Sequence, residues 1–152
     1  MIKIAENKTR KRLRIAQCVF YLLQIFFCTF TFIRFPDPEN EGRYIYKTLL
    51  DIFGMFGNTF SDSEGGAKLV ATIPFLLILA VIPIVGFFFC ALDKERNLKN
   101  IVSIFCCLFG VFAIITFIPM NMMDFGAVFS LINYLIISFI TSVAMMARLT
   151  DK

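Results

Sequence analysis

The sequence predicts an all-α integral membrane protein: four transmembrane helices in an up-down bundle, with an amphipathic interfacial helix in the first extracytoplasmic loop. Three observations predict it. The 152 residues are 59% hydrophobic and 17% charged, against roughly 45–50% apolar and 25% charged in soluble domains. The apolar residues gather in four runs, each near the roughly 20 positions a helix needs to cross hydrocarbon. Lysine and arginine gather at the ends of those runs, eleven on one side and four on the other. Inside oil a backbone amide finds no water, so long apolar runs must become helices that satisfy their own backbone.

Residues 1–12 form a basic tail. With Arg14 just beyond it, the basic residues are Lys3, Lys8, Arg10, Lys11, Arg12 and Arg14, against the single acid Glu6. Span one covers residues 13–33. Its apolar run is too long for a cleaved leader and ends in FIRFPDPEN, without a small-x-small cleavage pattern, so it is expected to stay attached. Pro36 and Pro38 follow, and proline cannot continue a helix.

Residues 34–68 are the long outer loop. Within it Ile45, Leu49, Ile52, Phe56 and Phe60 recur at spacings of four, three, four and four, a helical stripe. Phe53 widens the stripe, while Lys47 and Asp51 lie on the other side. The spacing predicts a helix over about 44–60 resting in the outer interface; a re-entrant loop or a lid is the alternative. Span two, residues 69–92, contains Pro74 and Pro83, where kinks are expected. Residues 93–100 make a tight cytoplasmic hairpin, and span three covers 101–118 before Pro119 stops it. An outer turn at 119–125 leads to span four, residues 126–147, and a short tail, 148–152. No internal repeat of the kind found in many transporters is visible.

The charge asymmetry sets the orientation, because cytoplasmic segments carry the excess of lysine and arginine. Both termini and the 93–100 connection are expected in the cytoplasm, and the protein in the plasma membrane. The same grouping explains the net charge of +4 without a nucleic-acid partner.

Helices in lipid gain nothing from the hydrophobic effect when they meet, so small and polar side chains carry the information. Gln17, Tyr21, Gln24, Cys28 and Thr31 recur at four, three, four and three residues and make one seam on span one. Burying an unpaired amide costs several kcal/mol, so Gln24 requires a partner. Spans one and four run in opposite directions, and residues at matching depth are Gln17 with Ser142, Gln24 with Asn133 and Thr31 with Ser130. The sequence leaves open whether the seam meets span four of the same chain or another subunit. On span three, Cys106 and Gly110 are a small-xxx-small pair that lets another helix approach closely.

Chemistry is constrained chiefly by what the sequence lacks. There is no histidine, so serine or cysteine nucleophiles have no imidazole base. The five cysteines (Cys18, Cys28, Cys90, Cys106, Cys107) all fall inside apolar runs and none in the long loop, which excludes a loop disulfide framework. No Asp, Glu, Lys, Arg or His lies centrally in any span, which argues against a proton relay or voltage sensor. The acids near the membrane edges, such as Asp37, Glu39, Asp93 and Glu95, read as solvated loop residues. Catalytic, cofactor-binding and metal-binding residues are therefore none. The expected function is a non-enzymatic accessory or scaffold subunit acting through intramembrane helix contacts, with the bilayer and another membrane protein, or a second copy, as partners. A small transporter or channel-forming oligomer, and a lipid- or peptide-sensing protein, are the alternatives.

Overall fold

Leucine, isoleucine, phenylalanine and valine fill long stretches with few turn residues, and most of the protein is accordingly helical. The computed structural model describes residues 8–37, 42–51, 66–93 and 98–150, with backbone alone for Phe35 and for residues 66–78 and 148–150. The elements in chain order are α1 (Lys8–Phe27), β1 (Thr31–Pro36), β2 (Tyr44–Thr48), α2 (Gly66–Leu92), α3 (Leu98–Phe117), a 3-10 turn (Met120–Met122) and α4 (Phe125–Thr150). Among the described residues two stretches, Leu98–Phe117 and Phe125–Ala147, are long and apolar enough to cross a membrane.

The helices pack in a circuit: α1 touches α2 and α4, and α3 touches the same two. Between them lie Tyr21, Leu79, Cys90, Ile114, Ile118, Tyr134 and Ile137, all nearly inaccessible. Two tyrosines fill notches left by glycines. The Tyr21 ring of α1 occupies the space that a side chain at Gly86 of α2 would need, and the Tyr134 ring of α4 does the same at Gly110 of α3, where a Cβ would stand 2.6 Å from the ring. Pro74 and Pro83 both lie within α2, whose helix continues through them.

The structure corrects the all-α expectation at one end of the molecule. α1 ends at Phe27 rather than at 33, and residues 31–36 turn into a strand that pairs antiparallel with Tyr44–Thr48. The reason is local composition: TFTFI and YIYKT are β-branched and aromatic, which suits a pleated, half-buried surface. Thr29 assists by donating its hydroxyl to the Phe26 carbonyl at 2.7 Å as the helix finishes. β1 also rests on the start of α4. Asp124 donates its backbone N–H to the Phe32 carbonyl at 3.2 Å, Ile33 pairs with Met123, and Gly126 admits the strand, since a Cβ there would lie 2.8 Å from the Thr31 carbonyl. Gly42, with φ at +89°, holds a left-handed conformation on the way into β2, one that glycine adopts freely.

The expected helix over 44–60 is corrected in the same place. Its first five residues are strand, Ile45 among them and exposed, and a helix starts only at Leu49. Thr48 and Asp51 explain the boundary. The Asp51 carboxylate accepts the Thr48 N–H at 2.8 Å, and the Thr48 hydroxyl accepts the Asp51 N–H at 3.1 Å. This reciprocal pair is a capping box, a helix start signal that competes with any earlier start. These bonds from Thr48 hold the Asp51 carboxyl below its ordinary range. Ile52, Phe53, Phe56 and Phe60 lie outside the described residues.

Candidate functional site

The heptad-like seam on α1 turns inward. Gln17, Tyr21 and Gln24 are each 1% exposed or less, while Val19, Leu22 and Phe26 on the opposite side of the helix are more than half exposed. A helix with its amides inside and its hydrocarbon outside reverses the arrangement that water selects.

The buried amides are paired across the molecule. Asn133 Nδ2 of α4 donates to Gln24 Oε1 at 2.8 Å and to the Phe20 carbonyl at 2.9 Å. Gln17 Nε2 donates to Thr141 Oγ1 of α4 at 2.9 Å and reaches Asn100 Oδ1 of α3 at 3.4 Å. Cys90 of α2 directs its thiol at Gln17 Oε1 at 3.9 Å. Thr141 in turn donates to the Ile137 carbonyl at 2.7 Å and stands 3.1 Å from Ser103 Oγ. The hydroxyls of Tyr21 and Ser103 share a bond of 2.7 Å. Gln17 thus gathers groups from all of the other three helices, a network whose members are costly to remove singly because the remaining partners stay buried.

Of the residues expected on this interface, the structure brings Gln17, Tyr21, Gln24, Cys28, Cys106, Gly110, Ser130 and Asn133 into the interior. Ser142 is corrected: it is exposed and donates back to the Ser138 carbonyl at 2.9 Å. Thr141 takes the place opposite Gln17, one residue earlier. Thr31 is half-buried in β1, outside any helix. The Ser130 hydroxyl, Asn133 Oδ1 and the Tyr134 hydroxyl are buried without a hydrogen-bond partner. They stand at i, i+3 and i+4 on α4, so one face of that helix carries all three.

Several participants were not singled out from the sequence. Asn100 and Lys99 begin α3 in what reads as a polar hairpin, yet both are buried. Asp93 explains part of this, since its carboxylate accepts the Lys99 N–H at 2.9 Å and so satisfies one of the orphan donors of the first helical turn. Arg10 and Arg14 continue the α1 seam at spacings of four and three before Gln17. Arg10 is buried, and Arg14 Nη1 donates to the Ala91 carbonyl of α2 at 3.3 Å, a cation at a helix C-terminus where the dipole favours it. Periodicity would have found both arginines, had the tail not been read as charge alone.

The five cysteines are free thiols, and Cys28, Cys90, Cys106 and Cys107 are buried. Among the described residues no three of Cys, Asp or Glu stand together as a metal site. No family model, curated protein or solved structure matches this chain.

Proposed function

We propose that this chain is a four-span integral membrane protein of the plasma membrane, with both termini in the cytoplasm, acting without catalysis as an accessory or scaffold subunit. The observation that carries the membrane reading is the reversed polarity. Phe112 is 62% exposed, Leu135 63% and Phe139 71%, whereas Ser103, Ser130 and Thr141 are fully buried. In water each such exposed side chain would forgo about 1.5–3 kcal/mol of burial. In lipid the same faces cost nothing, and the polar groups go inside because only there can they find partners. The two apolar stretches of α3 and α4 are only 39% and 33% buried in the protein, unlike core helices of a water-soluble domain. Tyr44 and Tyr46 are about half exposed on β2, and aromatic rings with polar tips suit the headgroup level.

The subunit reading follows from where the polar groups are spent. The span-one seam is bonded within the chain, so a partner has to meet the outer apolar faces or the β1–β2 end. Affinity-tagged protein extracted from native membrane in mild detergent is expected to retain a second membrane protein in fixed ratio. Recovery of this chain alone, or only with itself, contradicts the reading. The unpaired Ser130, Asn133 and Tyr134 atoms favour a second reading, a small transporter whose interior admits a polar solute; solute flux in proteoliposomes of the purified chain tests it.

A further inference from the structure

The contacts between helices fix one layer of the bundle. Tyr134 of α4 meets Gly110 of α3, and Thr141 meets Ser103. The two helices therefore run in opposite directions, and Ser130, one turn before Tyr134, stands level with Ala113 and Ile114. The pairs Gln24 with Asn133 and Gln17 with Thr141 put Cys28 of α1 at about the same depth. Tyr21 against Gly86 and Gln17 against Cys90 do the same for Leu79 of α2. Cys28, Leu79, Ala113 and Ile114 are all buried, and only the Cys28 thiol among these side chains can donate a hydrogen bond, weakly.

Three polar atoms of α4 require more than that. Asn133 Oδ1 is buried without a partner, and it cannot gain one by turning, because Nδ2 of the same amide is committed to Gln24 Oε1 and the Phe20 carbonyl. The Tyr134 hydroxyl is carried by a ring seated in the Gly110 notch, and it too is buried without a partner. The equally orphaned Ser130 hydroxyl lies one turn from both, where helical neighbours meet. α2 adds a fourth group at this depth. Leu79, Pro83, Gly86 and Cys90 make its inward face, and Pro83 has no N–H to offer the Leu79 carbonyl four residues back. Further along α4 the hydroxyls are spent on one another, since Thr141, Ser103 and Tyr21 form one chain. We propose that buried water occupies the layer between Ser130, Asn133, Tyr134 and Leu79, donating to Asn133 Oδ1 and the Leu79 carbonyl and bonding the two hydroxyls. The occupant is neutral, because α4 carries no Asp, Glu, Lys or Arg between Asp124 and Arg148. It must donate, since amide and carbonyl oxygens only accept. Buried water makes about three such bonds, and ordered water is one means by which proline is tolerated inside a membrane helix. The site depends on the packing alone and stands whether or not the scaffold reading does.

Radiolytic hydroxyl-radical footprinting of the full chain in lipid nanodiscs, read by mass spectrometry, tests the proposal, because radicals formed from bound water oxidise the side chains beside it. Tyr134 and Tyr21 are equally buried, but the Tyr21 hydroxyl is bonded to Ser103 Oγ. Oxidation is expected at Tyr134 and not at Tyr21. Ser130→Ala, which removes one of the water's partners and keeps the packing, is expected to lower the yield at Tyr134. Stability gives an independent sign. With water in place Tyr134→Phe breaks a hydrogen bond and is expected to lower the folding equilibrium constant about fivefold. In a dry interior the same change removes an unmatched polar group and leaves the protein as stable or more so. No more oxidation at Tyr134 than at Tyr21, a Tyr134 yield unchanged by Ser130→Ala, or a Tyr134→Phe chain at least as stable as the original each overturns the site.

Discussion

Gly110→Ala probes the closest approach between two helices. An ideal Cβ at Gly110 would lie 2.6 Å from both Cε2 and Cζ of Tyr134, and 3.0 Å from Cδ2. Carbon atoms rest about 3.5–4.0 Å apart, so ring and helix must separate by about 1 Å. Tyr134 is wholly buried, and a ring enclosed on all sides has nowhere to swing. Overpacking of this kind costs about 1–3 kcal/mol, and the better helix propensity of alanine returns up to about 1 kcal/mol. The expected net effect is a loss of about 1 kcal/mol. A double-mutant cycle with Tyr134→Ala sharpens it, because the smaller side chain removes the clash and leaves room for the new methyl. Unfolding free energies from steric trapping in bicelles are expected to show a favourable coupling of about 1–2 kcal/mol. A Gly110→Ala protein as stable as the original, or substitutions that add within about 0.5 kcal/mol, would refute the argument that the tyrosine fills a notch that only glycine leaves.

The Gln24–Asn133 bond is expected to show a coupling of about 0.6 kcal/mol, and no more than about 1.7, in a cycle of leucine substitutions read by the same assay; a coupling indistinguishable from zero contradicts the pairing. Cysteines placed at 24 and 133 in a background free of other thiols are expected to be joined by a short bifunctional reagent within one chain, and the appearance of crosslinked dimers instead would move the seam to an interface between subunits. The Asp51 carboxyl, lowered by its bonds to Thr48, gives the capping box a stabilising effect that is full above the ordinary aspartate range and fades as pH falls through the lowered value. The Asp51 side-chain resonance followed by NMR is expected to titrate below 3.8, the ordinary value, and titration at or above that value contradicts the bond. Gln17→Leu leaves Asn100, Thr141 and Cys90 facing a hydrocarbon side chain, and a loss of about 1–3 kcal/mol is expected, visible as a lowered midpoint of denaturation.

Much of the interior was legible because amides and hydroxyls are scarce in apolar runs and their spacing is informative. The seam from Gln17 to Gln24 and its depth match with Asn133 follow from period and antiparallel direction alone. Thr141 could not be told from Ser142 in this way, since a tilt between helices moves the register by a residue. The strand pair was hidden by a second cause. Residues 28–33 continue the hydrophobicity of α1 without interruption, and only the β-branched and aromatic content of TFTFI distinguishes strand from helix. At Tyr44–Thr48 the stripe of Ile45 and Leu49 fits a helical period by coincidence, while Thr48 and Asp51 form the start signal that places the boundary. Lys99 was concealed by its charge, because the sequence does not reveal that a basic residue at a helix start is buried, whereas Arg10 lies on the period of the α1 seam and was legible from it.

In the proposed membrane arrangement α3 and α4 turn Phe112 and Phe139 to lipid and Ser103 and Thr141 to each other. Spin labels at positions 112 and 139, compared with labels at 103 and 141, test it in reconstituted bilayers through collision with oxygen and with a water-soluble nickel chelate. Frequent collision with oxygen and little with nickel is expected at 112 and 139, and little with either reagent at 103 and 141. Strong nickel collision at 112 and 139 would mean that these faces meet water, and would contradict it.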